Sequence, residues 1–277
     1  MEARGQPPAW LPRTEGLVRL GFVRGANGCT ALAGLHQSGA GRVRFPKPAT
    51  GDIPEAVLLN TAGGLTGGDR MSIDVSLAAR CRATVTAAAA EKVYRALDGE
   101  AAVRVRLDVG EAAHLAWLPQ PTILFDRARL DRRTEVAISG SASFLAVETL
   151  IFGRAAMGED VRRGACRDAW RVRRDGRLVF ADTFRVDGEV ASVLDRGATL
   201  DGARASAMLL WAAPDAAARL GEVRALLQDT ACAAGASAWN GLLVARAAAR
   251  DGTALQTLLG LVITRLTGRP LPRVWQC

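Results

Sequence analysis

Between Ala102 and Val109 the chain alternates without a break. Val103, Val105, Leu107 and Val109 are apolar, and Arg104, Arg106 and Asp108 between them are charged. A period of two puts one set on one face of a strand and the other set on the opposite face, a pattern that no amphipathic helix satisfies. Short apolar or alternating runs recur before residue 200, at Leu17–Val23, Val57–Asn60, Met71–Leu77, Arg82–Thr86 and Thr134–Ile138. Each is closed by Gly, Asp, Asn or Pro, the residues that break strands. Asp175-Gly176, between the runs Arg171–Asp175 and Leu178–Val186, is a hairpin signal. Leu118–Asp126 carries Pro119 and Pro121 and reads as an edge strand or a loop lining the core. Ser141–Phe152 reads either as a buried strand or as a short helix.

The periodicity then changes. Leu220, Val223 and Leu227 follow Pro214-Asp215 at helical spacing. Leu255, Leu258, Leu259, Val262 and Leu266 form a second such run, after the candidate caps Asp251 and Thr253 and before the stop at Gly268 and Pro270. Ala231–Trp239 and Leu242–Ala248, between the two runs, read as strands. The expected fold is therefore mainly β: a large multi-stranded β body with two α-helices in the C-terminal part. No Pro/Ser linker or charge block divides the chain, which predicts one domain over 1–277. The polar, Pro-rich start reads as a flexible tail over residues 1–15, without the apolar stretch of a signal peptide. No segment reads as a membrane span.

With 277 residues, 49% hydrophobic and 23% charged, the chain can bury a sizeable core and is not a disordered sequence. Its net charge of +8 admits a nucleic-acid or an acidic protein partner. The arginines are spread along the chain, densest at Arg162–Arg177, and are not interleaved with aromatic stacking residues, which disfavours nucleic acid. There are two histidines, His36 and His114, and five widely spaced cysteines, at 29, 81, 166, 232 and 277. That set excludes H-E-x-x-H and C-x-x-C metal sites and suits reduced thiols in a cytoplasmic protein. His114, among Ala, Leu and Trp, reads as a satisfied core histidine, and nothing nearby pairs with His36. No nucleophile–base triad or helical carboxylate pair is visible.

The least ordinary stretch is Asn60-Thr61-Ala62-Gly63-Gly64-Leu65-Thr66-Gly67-Gly68-Asp69-Arg70. It lacks the Lys-Ser/Thr of a P-loop and the spacing of a dinucleotide-binding turn. It reads as a tight structural turn or as a binding loop presenting Asp69. A small enzyme using this loop for a phosphorylated substrate is the alternative function. Gly153–Glu159 is a charged, Gly-containing loop, and the apolar end Leu271–Cys277 either tucks into the core or docks on a partner.

Taken together these segments resemble the urease accessory protein UreD (UreH) family. Asn60, Thr61, Gly63, Gly64, Thr66, Gly67, Gly68 and Asp69 match its N-T-A-G-G-x-T-G-G-D signature. Ala90 to Arg95, with Glu91 and Tyr94, resembles its A-x-K-x-Y-R segment, and Leu118–Asp126, with Gln120, its L-P-Q-x-T-I-x-F-D segment. Gly153, Arg154, Gly158 and Glu159 match F-G-R-x-x-x-G-E, and Leu271–Cys277 is similar to the usual terminus. The matches run in order from residue 60 to residue 277. Ala87-Ala88 departs from a usual Thr-Gln, and Pro121 stands where an acidic residue is common.

The resemblance implies a mostly β protein that is not an enzyme. It implies binding to UreF, recruitment of the GTPase UreG through UreF, and docking on apo-urease built of UreA, UreB and UreC. It also implies no tightly bound cofactor, with Ni²⁺ in transit toward the urease active site, and no nucleic-acid or membrane partner. A conduit must release its cargo, and carboxylates hold Ni²⁺ less firmly than imidazole or thiolate. Asp69, Glu91, Glu148 and Asp182 are the expected passage-lining acids, with Thr66 and Thr86 as further oxygen ligands.

Overall fold

The computed structural model describes residues 13–47, 53–154, 158–228 and 230–276. Along the chain the strands are β1 (Glu15–Arg24), β2 (Thr30–Gly39), β3 (Gly41–Arg44), β4 (Glu55–Asn60), β5 (Arg70–Leu77) and β6 (Arg82–Ala87). Next come β7 (Glu91–Val93), β8 (Ala101–Val109), β9 (His114–Leu118), β10 (Thr122–Leu124), β11 (Arg129–Ile138) and β12 (Ser143–Phe152). The hairpin β13 (Arg163–Arg174) and β14 (Arg177–Glu189) follows, then a short helix α1 (Val190–Leu194) and strand β15 (Ala205–Ala212). The chain ends with α2 (Leu220–Gln228), β16 (Ala233–Trp239), β17 (Leu242–Ala249) and α3 (Gly252–Thr267). The mainly β body with two C-terminal helices is thus the fold. Asp175 and Gly176 both adopt positive φ, as a two-residue hairpin turn requires.

The strands form two sheets. One runs β14-β13-β11-β8-β5-β1-β2; the other runs β16-β17-β15-β12-β9-β6-β4-β3, with β7 and β10 attached through β12. From β4 to β13, apart from the short β7 and β10, successive strands fall in alternate sheets. A strand therefore meets its sheet neighbour only after the chain has crossed and returned, and the neighbours β5, β8, β11 and β13 run parallel. Val18, Phe22, Val105, Leu107, Leu115, Phe144 and Trp170 fill the space between the sheets. The helices α2 and α3 cover the other face of the larger sheet, where Leu255, Leu259 and Val262 meet Trp211 and Leu243. Asp251 caps α3 by accepting from the amides of Thr253 and Ala254, and Gly268 ends it at φ 63°.

Several local readings change. Leu118–Asp126 contains β10, which is no edge: it pairs with β7 on one side and β12 on the other. Ser141–Phe152 holds a strand, and nearly every residue of β12 is buried because sheet neighbours, the inter-sheet core and the helical layer enclose it. That double burial removes the alternation that would have marked it. The polar stretch Gly25–Gly41 contains the largely exposed edge strand β2, held by β1. Of the expected tail, residues 1–12 lie outside the described residues, while Glu15 already opens β1.

On the open face of the smaller sheet arginines and acids interleave as ion pairs. Asp74 takes Arg19 at 3.1 Å and Arg106 at 4.0 Å. Asp131 takes Arg104, Arg167 and Arg133 at 2.6, 3.0 and 3.3 Å. Among the described residues no helix is long and apolar enough to cross a membrane.

Candidate functional site

The Gly-rich segment is a turn between β4 and β5 whose amides are committed within the fold. Ala62 donates to Asn60 Oδ1, Gly63 to the Asn60 carbonyl, Leu65 to Lys92, Gly68 to Glu100 and Asp69 to Thr66. That leaves no row of free amides for a phosphate, contrary to the alternative of a phosphate-binding loop. Asp69 is not presented to solvent either. It is buried, and its two oxygens accept from the amides of Thr14 at 2.7 Å and Thr66 at 2.8 Å. Thr66 donates its hydroxyl to the Arg95 carbonyl. A Cβ on Gly67 would overlap the carbonyl oxygen of Asp98, and one on Gly64 the Tyr94 ring.

The other motif segments gather around this turn. Tyr94 donates to the Gly63 carbonyl and stacks on Phe125 with ring centroids 5.0 Å apart. Arg154 lies 4.8 Å above the Phe125 ring and pairs with Glu159 at 2.6 Å. Gly153 and Gly158 turn at positive φ; residues 155–157 of that loop lie outside the described residues. Gln120 donates to the Val274 carbonyl at 2.7 Å, and the Trp275 indole N–H donates to the Leu118 carbonyl at 3.0 Å, so the apolar terminus tucks in. Thr86 donates to that same carbonyl at 2.6 Å and is enclosed there. Cys277 lies outside the described residues.

Behind the turn a cavity of about 310 Å³ runs between the sheets, walled by Asn60, Gly63, Glu91, Lys92, Arg132 and Glu148. Asn60 donates to both oxygens of Glu91, at 3.1 and 3.2 Å. Burial raises the Glu91 pKa, and the Asn60 contact and the charge of Arg132 only partly oppose it. A second cavity of about 350 Å³ lies beyond, walled by Glu148, Asp168, Asp182, Thr183, Arg185 and Arg246. Asp182, half-buried, pairs with Arg246 at 2.8 Å across the two sheets. Glu148 belongs to both walls.

At that junction sits a buried cluster. Arg132 Nε and Nη2 donate to the two oxygens of Asp168 at 3.0 and 2.8 Å, and Nη1 donates to Thr122 Oγ1 at 2.9 Å. Nη2 also stands 2.8 Å from Glu148 Oε1, yet Oε1 receives no hydrogen bond of regular geometry. Burial raises the Glu148 pKa, against the pull of Arg132 and with a further push from Asp168. Burial works against the Arg132 charge, but the two carboxylates more than offset it, so the guanidinium stays charged. Cys166, on the same face of β13, has its thiol pKa raised by burial and then by Asp168, which keeps it from serving as a thiolate.

Of the four expected acids, Glu91 thus lines the first cavity, Asp182 the second and Glu148 both. Asp69 is outside both cavity walls, with its oxygens engaged. Arg132 and Asp168 are the members that sequence reasoning missed. Their signal was the strand period: Arg132 falls on the inward face with Leu130, Thr134 and Val136, and Asp168 with Cys166, Trp170 and Val172. Elsewhere, His114 Nδ1 lies 2.8 Å from Ser143 Oγ, and burial drops its pKa to about 4. His36 is on exposed β2. Among the described residues no three His, Cys, Asp or Glu side chains are grouped to hold a metal ion.

A two-layer β fold with a glycine turn bonded into it and this set of motifs defines one class of protein: the chain belongs to the UreD urease accessory protein family, whose model matches residues 14–276. In particular it is similar to the urease accessory protein UreD of Methylobacterium sp. (strain 4-46), at 46% identity over 97% of this chain and 98% of that protein. The UreD of Rhizobium leguminosarum bv. trifolii (strain WSM2304) is 49% identical over 90% of each chain. That of Xanthobacter autotrophicus is 48% identical over 99% of this chain and 93% of its own.

Proposed function

We propose that this chain is a non-catalytic scaffold in urease maturation: it docks UreF, and UreG through UreF, on the apo-urease subunits UreA, UreB and UreC, and it passes Ni²⁺ through its interior. It does so in the cytoplasm, as a single domain. Family membership supports the maturation role. One observation carries the transit role: Glu148 is shared by two cavities, one holding Glu91 and the other Asp182.

The donor chemistry fits passage better than storage. Ni²⁺ bound by imidazole or thiolate leaves slowly, whereas isolated carboxylates and water let it go. The cavities offer carboxylates, Glu91, Glu148 and Asp182, and the neighbouring thiol of Cys166 stays protonated. The +8 charge disfavours capture of free Ni²⁺ from solution, so the ion enters from a bound partner.

The test is co-expression with the urease subunits and the other accessory proteins. Glu148→Gln is expected to assemble normally and to leave urease poorly loaded with nickel. Full loading by that variant removes Glu148 from the path, and full loading without this chain at all removes the maturation role.

A further inference from the structure

We infer that Arg132 is a built-in competitor for the cargo: its guanidinium occupies the place between Glu148 and Asp168 that a divalent cation crossing the junction would take, so the ion passes there without being held. This rests on the transit reading above. Glu148 lines both cavities and Asp168 the second, and two facing buried carboxylates without a counter-charge would attract a cation. Arg132 supplies that counter-charge permanently, because a guanidinium does not deprotonate in proteins. A divalent ion arriving there would meet the positive charge of Arg132 already seated between the two carboxyl groups, at short range and away from water.

The two carboxylates are not held alike. Asp168 takes a directed, two-point grip at 3.0 and 2.8 Å, and Thr122 fixes the third nitrogen. Glu148 is only 6% exposed, and its Oε1 has close charge but no directed hydrogen bond. Glu148 is therefore the less firmly gripped of the two, while Arg132 stays anchored on Asp168. The ladder sets the geometry, since Arg132 and Asp168 are direct partners between β11 and β13.

Equilibrium dialysis of the purified full-length chain against Ni²⁺ tests this. Arg132→Gln is expected to bind Ni²⁺ at least about tenfold more tightly than the wild type, through removal of the repelling charge. Adding Glu148→Gln to it is expected to restore wild-type retention. The inference is overturned if the single variant, with a wild-type circular dichroism spectrum, binds no more tightly, or if the double variant keeps the extra metal. Should Arg132→Gln fail to fold, Arg132→Met removes the same charge with a side chain of similar length. It is expected to show the same gain, again abolished by Glu148→Gln, and no gain overturns the inference. Loss of urease activation by Glu148→Gln without any nickel gain in the Arg132 variants overturns the competitor role alone. Full activation by Glu148→Gln overturns the transit reading and this inference with it.

Discussion

The indole N–H of Trp275 donates to the carbonyl of Leu118, joining the last turn of the chain to the end of β9. The ring is 7% exposed and lies in the cluster formed by α3 and the larger sheet. Trp275→Ala removes both the ring and the hydrogen bond and is expected to cost about 3–5 kcal/mol. Thermal and urea melts check this. A variant as stable as the wild type would place the terminal Trp outside the core.

Asp69 holds the Gly-rich turn to the start of β1 through two amides. Asp69→Ala leaves both donors without that partner and is expected to cost about 2–3 kcal/mol. If urea denaturation instead shows unchanged stability while urease activation is lost, Asp69 acts on the cargo after all.

Glycines of this turn are not equivalent. Gly63 has φ 77° with open space around it, so Gly63→Ala is expected to cost about 1 kcal/mol of backbone strain. Gly67 abuts the Asp98 carbonyl, and that backbone cannot step aside as a side chain would. Gly67→Ala is expected to cost about 3 kcal/mol. Paired denaturation curves check the order, and equal losses would contradict the close approach.

His114 has a pKa of about 4 in the fold against an ordinary 6.5, chiefly because burial disfavours the imidazolium, with Arg82 and Arg269 adding repulsion. Between those values the unfolded chain binds the extra proton, so stability from this group is present above pH 6.5 and falls as pH drops toward 4. The expected loss is roughly 2 kcal/mol, after allowance for the ring's partial exposure. Urea melts from pH 7 to pH 4 on wild type and His114→Gln isolate it. The variant is expected to lack this component of the acid slope, and identical slopes would refute it.

Much of the fold was legible locally. Runs with a period of two, from Leu17–Val23 to Leu178–Val186, became strands, and the capped runs of helical period became α2 and α3. Where a strand was enclosed on both faces, as β12 is, or exposed along most of its length, as β2 is, the alternation was missing and the element was ambiguous or unseen. The site was legible only in part. Motif resemblance reached the turn around Asp69 and Glu91, and Glu148 and Asp182 were expected from the family likeness without a motif of their own. Arg132 and Asp168 carried no motif and required the inward face of β11 and β13 to be read.

By itself the sequence determined the alternating strands, the two long helices, the Asp175-Gly176 turn and, where alternation is clear, which strand face looks inward. Those properties follow from the local period of side chains and from the backbone preferences of Gly, Pro and Asp. Tertiary structure alone decided that Asp69 would clasp amides while Glu148 faces two cavities, and that Arg132 would meet Asp168. Alternation specifies a face but not a neighbour. The pairing of β11 with β13 is made across a chain crossing through the other sheet, where only the closing of both layers around one core selects the partner.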